Sequence, residues 1–145
     1  MKQPISIFIM DVTNSSSKDN WIDITEHLQY WKKHIEKWCK DILPAQVTHR
    51  RGDEILFVGQ HYFSAYTIAN QISQHWKYTM QMPYFGLSHG HIDENIAALD
   101  IEIWNHPMIK KARLANERLK NRRQRETDMY FSDDDKENDT YLITT

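Results

Sequence analysis

A glycine and two carboxylates stand together near the middle of the chain, as Gly52, Asp53 and Glu54, directly before an apolar run at residues 55–58. Glycine tolerates the backbone conformations of a tight turn, so this segment predicts a hairpin with the two acids at its tip. Carboxylate oxygens held there are the ligands that a hard cation such as Mg2+ prefers. An ordinary polar hairpin turn explains the same residues equally well, so a carboxylate elsewhere has to decide between the two interpretations.

Asp11 is such a carboxylate. It follows residues 5–10, an almost fully apolar run of the kind that forms a strand buried on both faces. A polar loop comes next, which places Asp11 at the carboxyl end of a central strand, where the ligands of open α/β sheets gather. The alternative is that Asp11 serves only as a turn or cap residue.

The elements that must position these acids are predicted from hydrophobic spacing. A helix is expected over residues 20–40, because its apolar residues recur three and four positions apart and form one core-facing stripe. That stripe consists of Trp21, Ile24, Leu28, Trp31, Ile35 and Trp38. Residues 45–50 and 55–58 are predicted as the two strands of the hairpin, and a second helix is expected from residue 62 to about residue 80.

A further strand is predicted at residues 84–92, where Gly86 and Gly90 indicate a bulge or a close backbone approach. His89 and His91 alternate onto one face of that strand, but no third ligand stands at zinc-site spacing, so we favour a structural role. A third helix is predicted from residue 108 to about residue 123. It is rich in Lys and Arg, which we expect to be solvated unless one of them reaches a phosphate.

Composition limits the class of protein. The chain has 145 residues and a net charge of −2, which predicts a domain with a packed core and no overall basic field for nucleic acid. Its one cysteine, Cys39, excludes an intramolecular disulfide and fits a reducing compartment. With no membrane-length apolar run and no signal-peptide pattern, we expect a cytoplasmic protein.

The last part of the chain is acidic and poor in apolar residues, which favours a tail or linker. We therefore expect one domain over residues 1–123 and an acidic tail over residues 124–145, cut from or once joined to something longer. Residues 129–131 are apolar enough to add a short edge strand. The order β-α-β-β-α-β predicts an α+β fold, a ferredoxin-like palm with a central antiparallel sheet and its helices on one face.

The motifs in this order resemble those of the class III nucleotidyl cyclase and GGDEF superfamily, and within it SatD-like bacterial proteins. The resemblance runs from about residue 5 to residue 120. It depends on a first-strand segment around Asp11, the hairpin at residues 51–55, the glycine-bearing strand at residues 85–92 and the helix at residues 107–120.

The resemblance implies a divalent-metal site for a nucleoside triphosphate, with Mg2+ or Mn2+ as the cofactor. Asp11 and Asp53 would be the metal ligands and Glu54 a further one, with Asp11, Asp53 and Arg113 as catalytic residues. The nucleotide would also contact Asn14, Ser15, His49, Arg51 and Lys110. This sequence departs from the pattern in two places: His49 stands where cyclases carry a base-reading Lys, and Lys110 and Arg113 stand one residue out of register with an expected Asn and Arg.

Three functions follow as alternatives. The first is a metal-dependent nucleotide-binding domain with a regulatory or signalling role. The second is an active cyclase that forms a cyclic nucleotide by two-metal phosphoryl transfer. The third is an interaction domain in which the aspartates do no chemistry. The resemblance further implies a homodimer, and a DNA-binding segment in a longer form of the protein.

Overall fold

The computed structural model describes residues 2–13, 20–50, 53–120, 129–132 and 140–142. Within these ranges the elements are β1 (Gln3–Val12), α1 (Trp21–Cys39), β2 (Ala45–Arg50), β3 (Glu54–Gln60), α2 (Ser64–His75), β4 (Pro83–Ile92), α3 (Pro107–Lys120), β5 (Met129–Ser132) and β6 (Thr140–Leu142). The strands form one sheet in the order β2-β3-β1-β4-β5-β6. All neighbours are antiparallel except β4 and β5, which are parallel. The predicted α+β palm with a central antiparallel sheet is confirmed.

β1 is the strand on which the sheet is centred. It pairs with β3 on one side and with β4 on the other, and Ile5, Ile7, Phe8, Ile9 and Met10 have no exposed surface. An apolar run without polar alternation suits a strand whose two faces are both covered. β1 therefore carries Asp11 out of the core at its carboxyl end.

The first two helices, α1 and α2, lie together on one face of the sheet, here called the aromatic face. It is built around Phe8, Phe57 and Phe85. The Phe8 and Phe57 rings stack with their centroids 5.2 Å apart, and Phe85 meets Phe8 edge-on at 5.4 Å. The α1 stripe is correct at its centre, but Trp21 is 57% exposed because it begins the helix at the rim of this face.

The third helix departs from the expected layout, because α3 covers the opposite face, here called the α3 face. The strand residues that alternate with Phe8 and Met10 are Ile5, Ile7 and Ile9, and they pack in one cluster with Met108, Ile109 and Ala112 of α3. Since these isoleucines are as apolar as the residues on the aromatic face, they too must be buried. A second layer over the sheet follows from the composition of β1.

α3 approaches the backbone of β4 closely at Gly86. A Cβ atom built there would lie 2.0 Å from the carbonyl oxygen of Ala112 and 2.4 Å from the amide nitrogen of Asn116. A side chain at this position is excluded by backbone atoms, which explains the glycine. The close backbone approach predicted from the sequence is present.

The remaining elements match the predictions within a few residues. α2 begins at Ser64 rather than at residue 62, after His61 with a left-handed φ of 77°, and it ends at His75 rather than near residue 80. The short strand considered at residues 129–131 is present as β5, which pairs with both β4 and β6. Over the described ranges, no helix has the length and apolar character needed to cross a membrane.

Candidate functional site

The carboxylate site consists of Asp11, Asp53 and Glu54, at the end of the sheet where β1 finishes and β3 begins. Asp11 lies on the α3 face, two residues after Ile9, and its Cα pairs with that of Tyr84. Glu54 is the first residue of β3, and Asp53 directly precedes it in the turn. The sequence placed both hairpin acids at the tip, whereas Glu54 belongs to the strand and is only 4% exposed.

The pKa of Asp11 is raised from 3.8 to about 7. Burial is the largest cause, because it penalises the charged form, and the negative charges of Asp53 and Glu54 raise the pKa further. Lys120 and Arg113 oppose part of this effect. The three acids therefore act on one another, and a positive charge placed among them would favour the ionised form of Asp11.

Arg113 binds Glu54 rather than projecting freely into the site. Its Nη1 donates to Glu54 Oε1 at 2.7 Å and its Nη2 donates to Oε2 at 3.5 Å. The hydrogen bond with Glu54 raises the pKa of Arg113, so the guanidinium is held charged. Both oxygens of Glu54, expected among the metal ligands, are thus occupied by a guanidinium, because the alternation of β3 points this side chain under α3.

Two further α3 residues belong to the surroundings of the site, and sequence reasoning missed both. Asn116 is 3% exposed, and its Nδ2 donates to the carbonyl oxygens of Ile9 at 3.0 Å and Tyr84 at 3.3 Å. Lys120, one turn further on, is the cation with the larger effect on Asp11. A signal for Asn116 was present, since it continues the helical spacing of Ile109, Ala112 and Leu119 and therefore had to face the sheet.

The other predicted site residues are not gathered here. His49 pairs with Ile55, whose side chain belongs to the aromatic face, so His49 lies on the opposite side of the sheet from Glu54 and Arg113. Lys110 is exposed near the start of α3. Asn14, Ser15 and Arg51 lie outside the described residues.

The chemistry of the carboxylate site is compatible with a divalent cation that takes two aspartates as its protein ligands. Across the described part of the chain, no three His, Cys, Asp or Glu side chains converge in a way that could hold a metal ion. Mg2+ is usually held by one or two carboxylates together with water and substrate phosphates, so Asp11 and Asp53 are a sufficient donor set. The electrostatic interaction between them, which raises the pKa of Asp11, is the repulsion that such a cation would neutralise.

His89 and His91 lie on the aromatic face beyond the start of α2. A hydrogen bond of 2.5 Å joins Tyr62 Oη and His91 Nε2, and the Tyr62 ring also meets His89 edge-on, with ring centroids 5.4 Å apart. The His89 ring contacts Phe131 of β5 at 5.0 Å. These contacts give both imidazoles a packing role that joins β4 to β5 and to the segment before α2.

The fold is that of nucleotidyl cyclase domains. One similar solved structure is the dimeric guanylyl cyclase domain of the RhoGC fusion protein from the aquatic fungus Blastocladiella emersonii. It has a TM-score of 0.54 and 15% identity, and the match covers 81% of this chain and 75% of that one. A bacterial light-regulated adenylyl cyclase also has a TM-score of 0.54 at 15% identity, with 90% of this chain and 43% of that chain covered.

No protein-family model matches the chain, and no curated protein matches it. At this level of identity the similarity of the solved structures concerns the fold alone. What the site does has to be argued from its own residues.

Proposed function

We propose that this domain binds a nucleoside triphosphate together with Mg2+ or Mn2+ at the carboxyl end of β1, with Asp11 and Asp53 as the metal ligands. The observation that carries the proposal is the placement of Asp11 near the end of β1, partly buried and close enough to Asp53 and Glu54 for their charges to raise its pKa. Such a cluster costs folding free energy that a bound cation would recover.

The surrounding residues have separate roles in this proposal. The metal, when bound, supplies charge neutralisation for the polyphosphate, which is the main requirement of phosphoryl chemistry. Lys120 adds a cation on the same face as Asp11, from the last turn of α3. Glu54 enters as the residue that holds Arg113, and the N–H groups of Arg113 that Glu54 does not bind are the ones that could reach a phosphate.

The engaged state of Arg113 favours a binding role over rapid turnover. A guanidinium that is paired at 2.7 Å with a 5% exposed carboxylate has part of its charge already balanced within the protein, so it stabilises a transition state less than an unpaired guanidinium would. We therefore place the domain among nucleotide-responsive regulatory or signalling modules of the SatD-like type. A homodimer in the cytoplasm, and a DNA-binding segment in a longer form, complete the proposal.

An active cyclase is the second candidate function. It is favoured by the similarity of the fold to domains named as guanylyl and adenylyl cyclases. In that reaction the ribose 3′-hydroxyl attacks the α-phosphorus and pyrophosphate leaves, so turnover is measured directly as pyrophosphate.

The test is the thermal stability of the purified protein with Mn2+ and each of ATP, GTP, CTP and UTP. At a ligand concentration of about 100 times Kd, binding should add about 2.7 kcal/mol to the free energy of unfolding and raise Tm. Asp53→Asn should abolish the rise, whereas the matched variant Asp41→Asn, at an exposed aspartate after α1, should retain it.

A folded protein whose Tm is indifferent to all four triphosphates would contradict both candidate functions. A rise in Tm without pyrophosphate release supports the regulatory role. Pyrophosphate release that is lost in Asp53→Asn supports the cyclase.

A further inference from the structure

A second concave site lies on the aromatic face, on the other side of the sheet from Asp11 and Glu54. It is an open cleft of about 920 Å3 between α1 and the segment that follows α2. Its walls carry an unusual density of rings, and the proposed nucleotide site uses none of them. The cleft therefore needs an explanation of its own.

Three rings on α1 form a row along one wall of the cleft. Tyr30 stacks on His27 with centroids 5.9 Å apart and an interplanar angle of 9°, and on His34 at 5.0 Å and 25°. Spacings of three and four residues place these side chains on one side of the helix. Tyr30 lines the cleft and remains 52% exposed, so part of its ring stays accessible to a ligand there.

His27 is a neutral ring at the inner end of this row. Trp31 Nε1 donates to His27 Nε2 at 3.2 Å, and because an indole N–H can only donate, Nε2 carries no proton. Burial, followed by the nearby charge of Lys77, lowers the pKa of His27. Trp76 and Tyr78 close around the same imidazole, with ring centroids 4.5 Å and 5.2 Å from it.

The charges that line the cleft favour a cation. Asp23 and Glu26 of α1 contribute two carboxylates, against the single ammonium of Lys77. Lys77 Nζ lies over the Tyr78 ring, 5.5 Å from its centroid, which is the geometry of a cation–π contact. The electron-rich faces of the aromatic rings and the excess of carboxylates both favour a positively charged ligand.

We propose that this cleft binds a planar organic cation, which packs against the exposed part of the Tyr30 ring while Asp23 and Glu26 balance its charge. A flat ligand suits a wall built of near-parallel rings, and a positive charge suits the carboxylates. The site is separate from the carboxylate site, since α1 and α3 cover opposite faces of the sheet. The proposal does not depend on nucleotide binding.

The experiment is isothermal titration calorimetry of the full chain with three probes. N-methylquinolinium is planar and charged, quinoline at pH 8 is planar and neutral, and tetramethylammonium is charged but not planar. We expect N-methylquinolinium to bind at least about tenfold more tightly than either of the others, since each of them lacks one of the two contributions. Equal affinity for quinoline or for tetramethylammonium would overturn the proposal, as would no heat of binding from N-methylquinolinium.

Two pairs of variants locate the binding. Tyr30→Ala should weaken N-methylquinolinium binding about fivefold, while Phe63→Ala, which removes an exposed ring outside the cleft, should leave it unchanged. Glu26→Gln should weaken it about threefold at low salt, while Glu36→Gln, at an exposed acid of α1 outside the cleft, should not. Equal losses within either pair would place the ligand elsewhere and refute the assignment. If Tyr30→Ala lowers Tm and so loses binding through instability, the Glu26→Gln and Glu36→Gln pair still decides the question.

Discussion

The two faces of the sheet hold their helices by different means. On the aromatic face, α1 and α2 pack on large rings, with Phe8, Phe57 and Phe85 at the centre. On the α3 face, smaller aliphatic side chains pack against the helix, and a buried polar side chain adds directional bonds: Asn116 donates to the carbonyl oxygens of Ile9 and Tyr84. Ring packing provides much buried area with little directional preference, whereas these hydrogen bonds fix the position of α3. The candidate metal site lies on the face whose geometry is fixed by specific bonds.

The largest expected effect concerns the aromatic face. Phe8→Ala should lower the free energy of unfolding by about 3–5 kcal/mol, because it leaves a cavity between Phe57 and Phe85 that the fixed strand backbones cannot close. Urea unfolding measures this loss. Phe63→Ala, at a ring that is 63% exposed, should change it by no more than about 0.5 kcal/mol. Similar losses in the two variants would show that the aromatic face is not the main source of stability.

The next effect concerns the α3 face and depends on pH. The pKa of Asp11 is about 7 in the folded protein against an ordinary 3.8, so the folded chain binds this proton more tightly than the unfolded chain. The free energy of unfolding should therefore fall as the pH rises from about 4 to about 7, by at most about 4 kcal/mol. Asp11→Asn should remove that fall, which makes the variant the more stable form at pH 8 in the absence of divalent cations.

Urea unfolding of both forms between pH 4 and pH 8 measures this difference. If the two stability profiles stay parallel over the whole pH range, the pKa of Asp11 is not raised in the folded protein. Mn2+ should reduce the difference at pH 8, because a bound cation stabilises the ionised carboxylate.

The smallest expected effect concerns the Glu54–Arg113 ion pair on the α3 face. Arg113→Met should cost about 2 kcal/mol, because it leaves the buried Glu54 carboxylate without its charge-assisted hydrogen bonds. Combining it with Glu54→Gln should recover at least half of that loss, since the unpaired charge is then absent. A double-mutant cycle in urea measures the coupling, and strictly additive losses would show that the two side chains do not stabilise each other.

The sequence predicted the elements well because each is encoded locally. The apolar run of β1, the spacing of Ile24, Leu28 and Ile35, and the glycine at position 86 are all visible within a few residues. The side of the sheet on which α3 packs was not visible in this way. It depends on the alternation of β1, whose isoleucines cover one face and whose Phe8 and Met10 cover the other.

The site was predicted less completely than the fold. Asp11 does lie at the end of the central strand, beside the hairpin acids. The Glu54–Arg113 pair joins residues 59 positions apart, and no local pattern distinguishes a glutamate that binds metal from one that binds arginine. His49 was predicted from its position along the chain. It pairs with Ile55, the residue next to Glu54, and because side chains alternate along a strand it lies on the opposite face of the sheet from Glu54.

The glycine at position 86 limits how the carboxylate site can respond to a ligand. Because the backbone of α3 meets that of β4 there, the helix cannot move closer to the strand, and the Asn116 amide ties it to the carbonyl oxygens of Ile9 and Tyr84. We therefore expect the backbone of Arg113 to keep its position when a ligand binds. The response to an incoming phosphate would then be confined to the side chains of Arg113 and its neighbours.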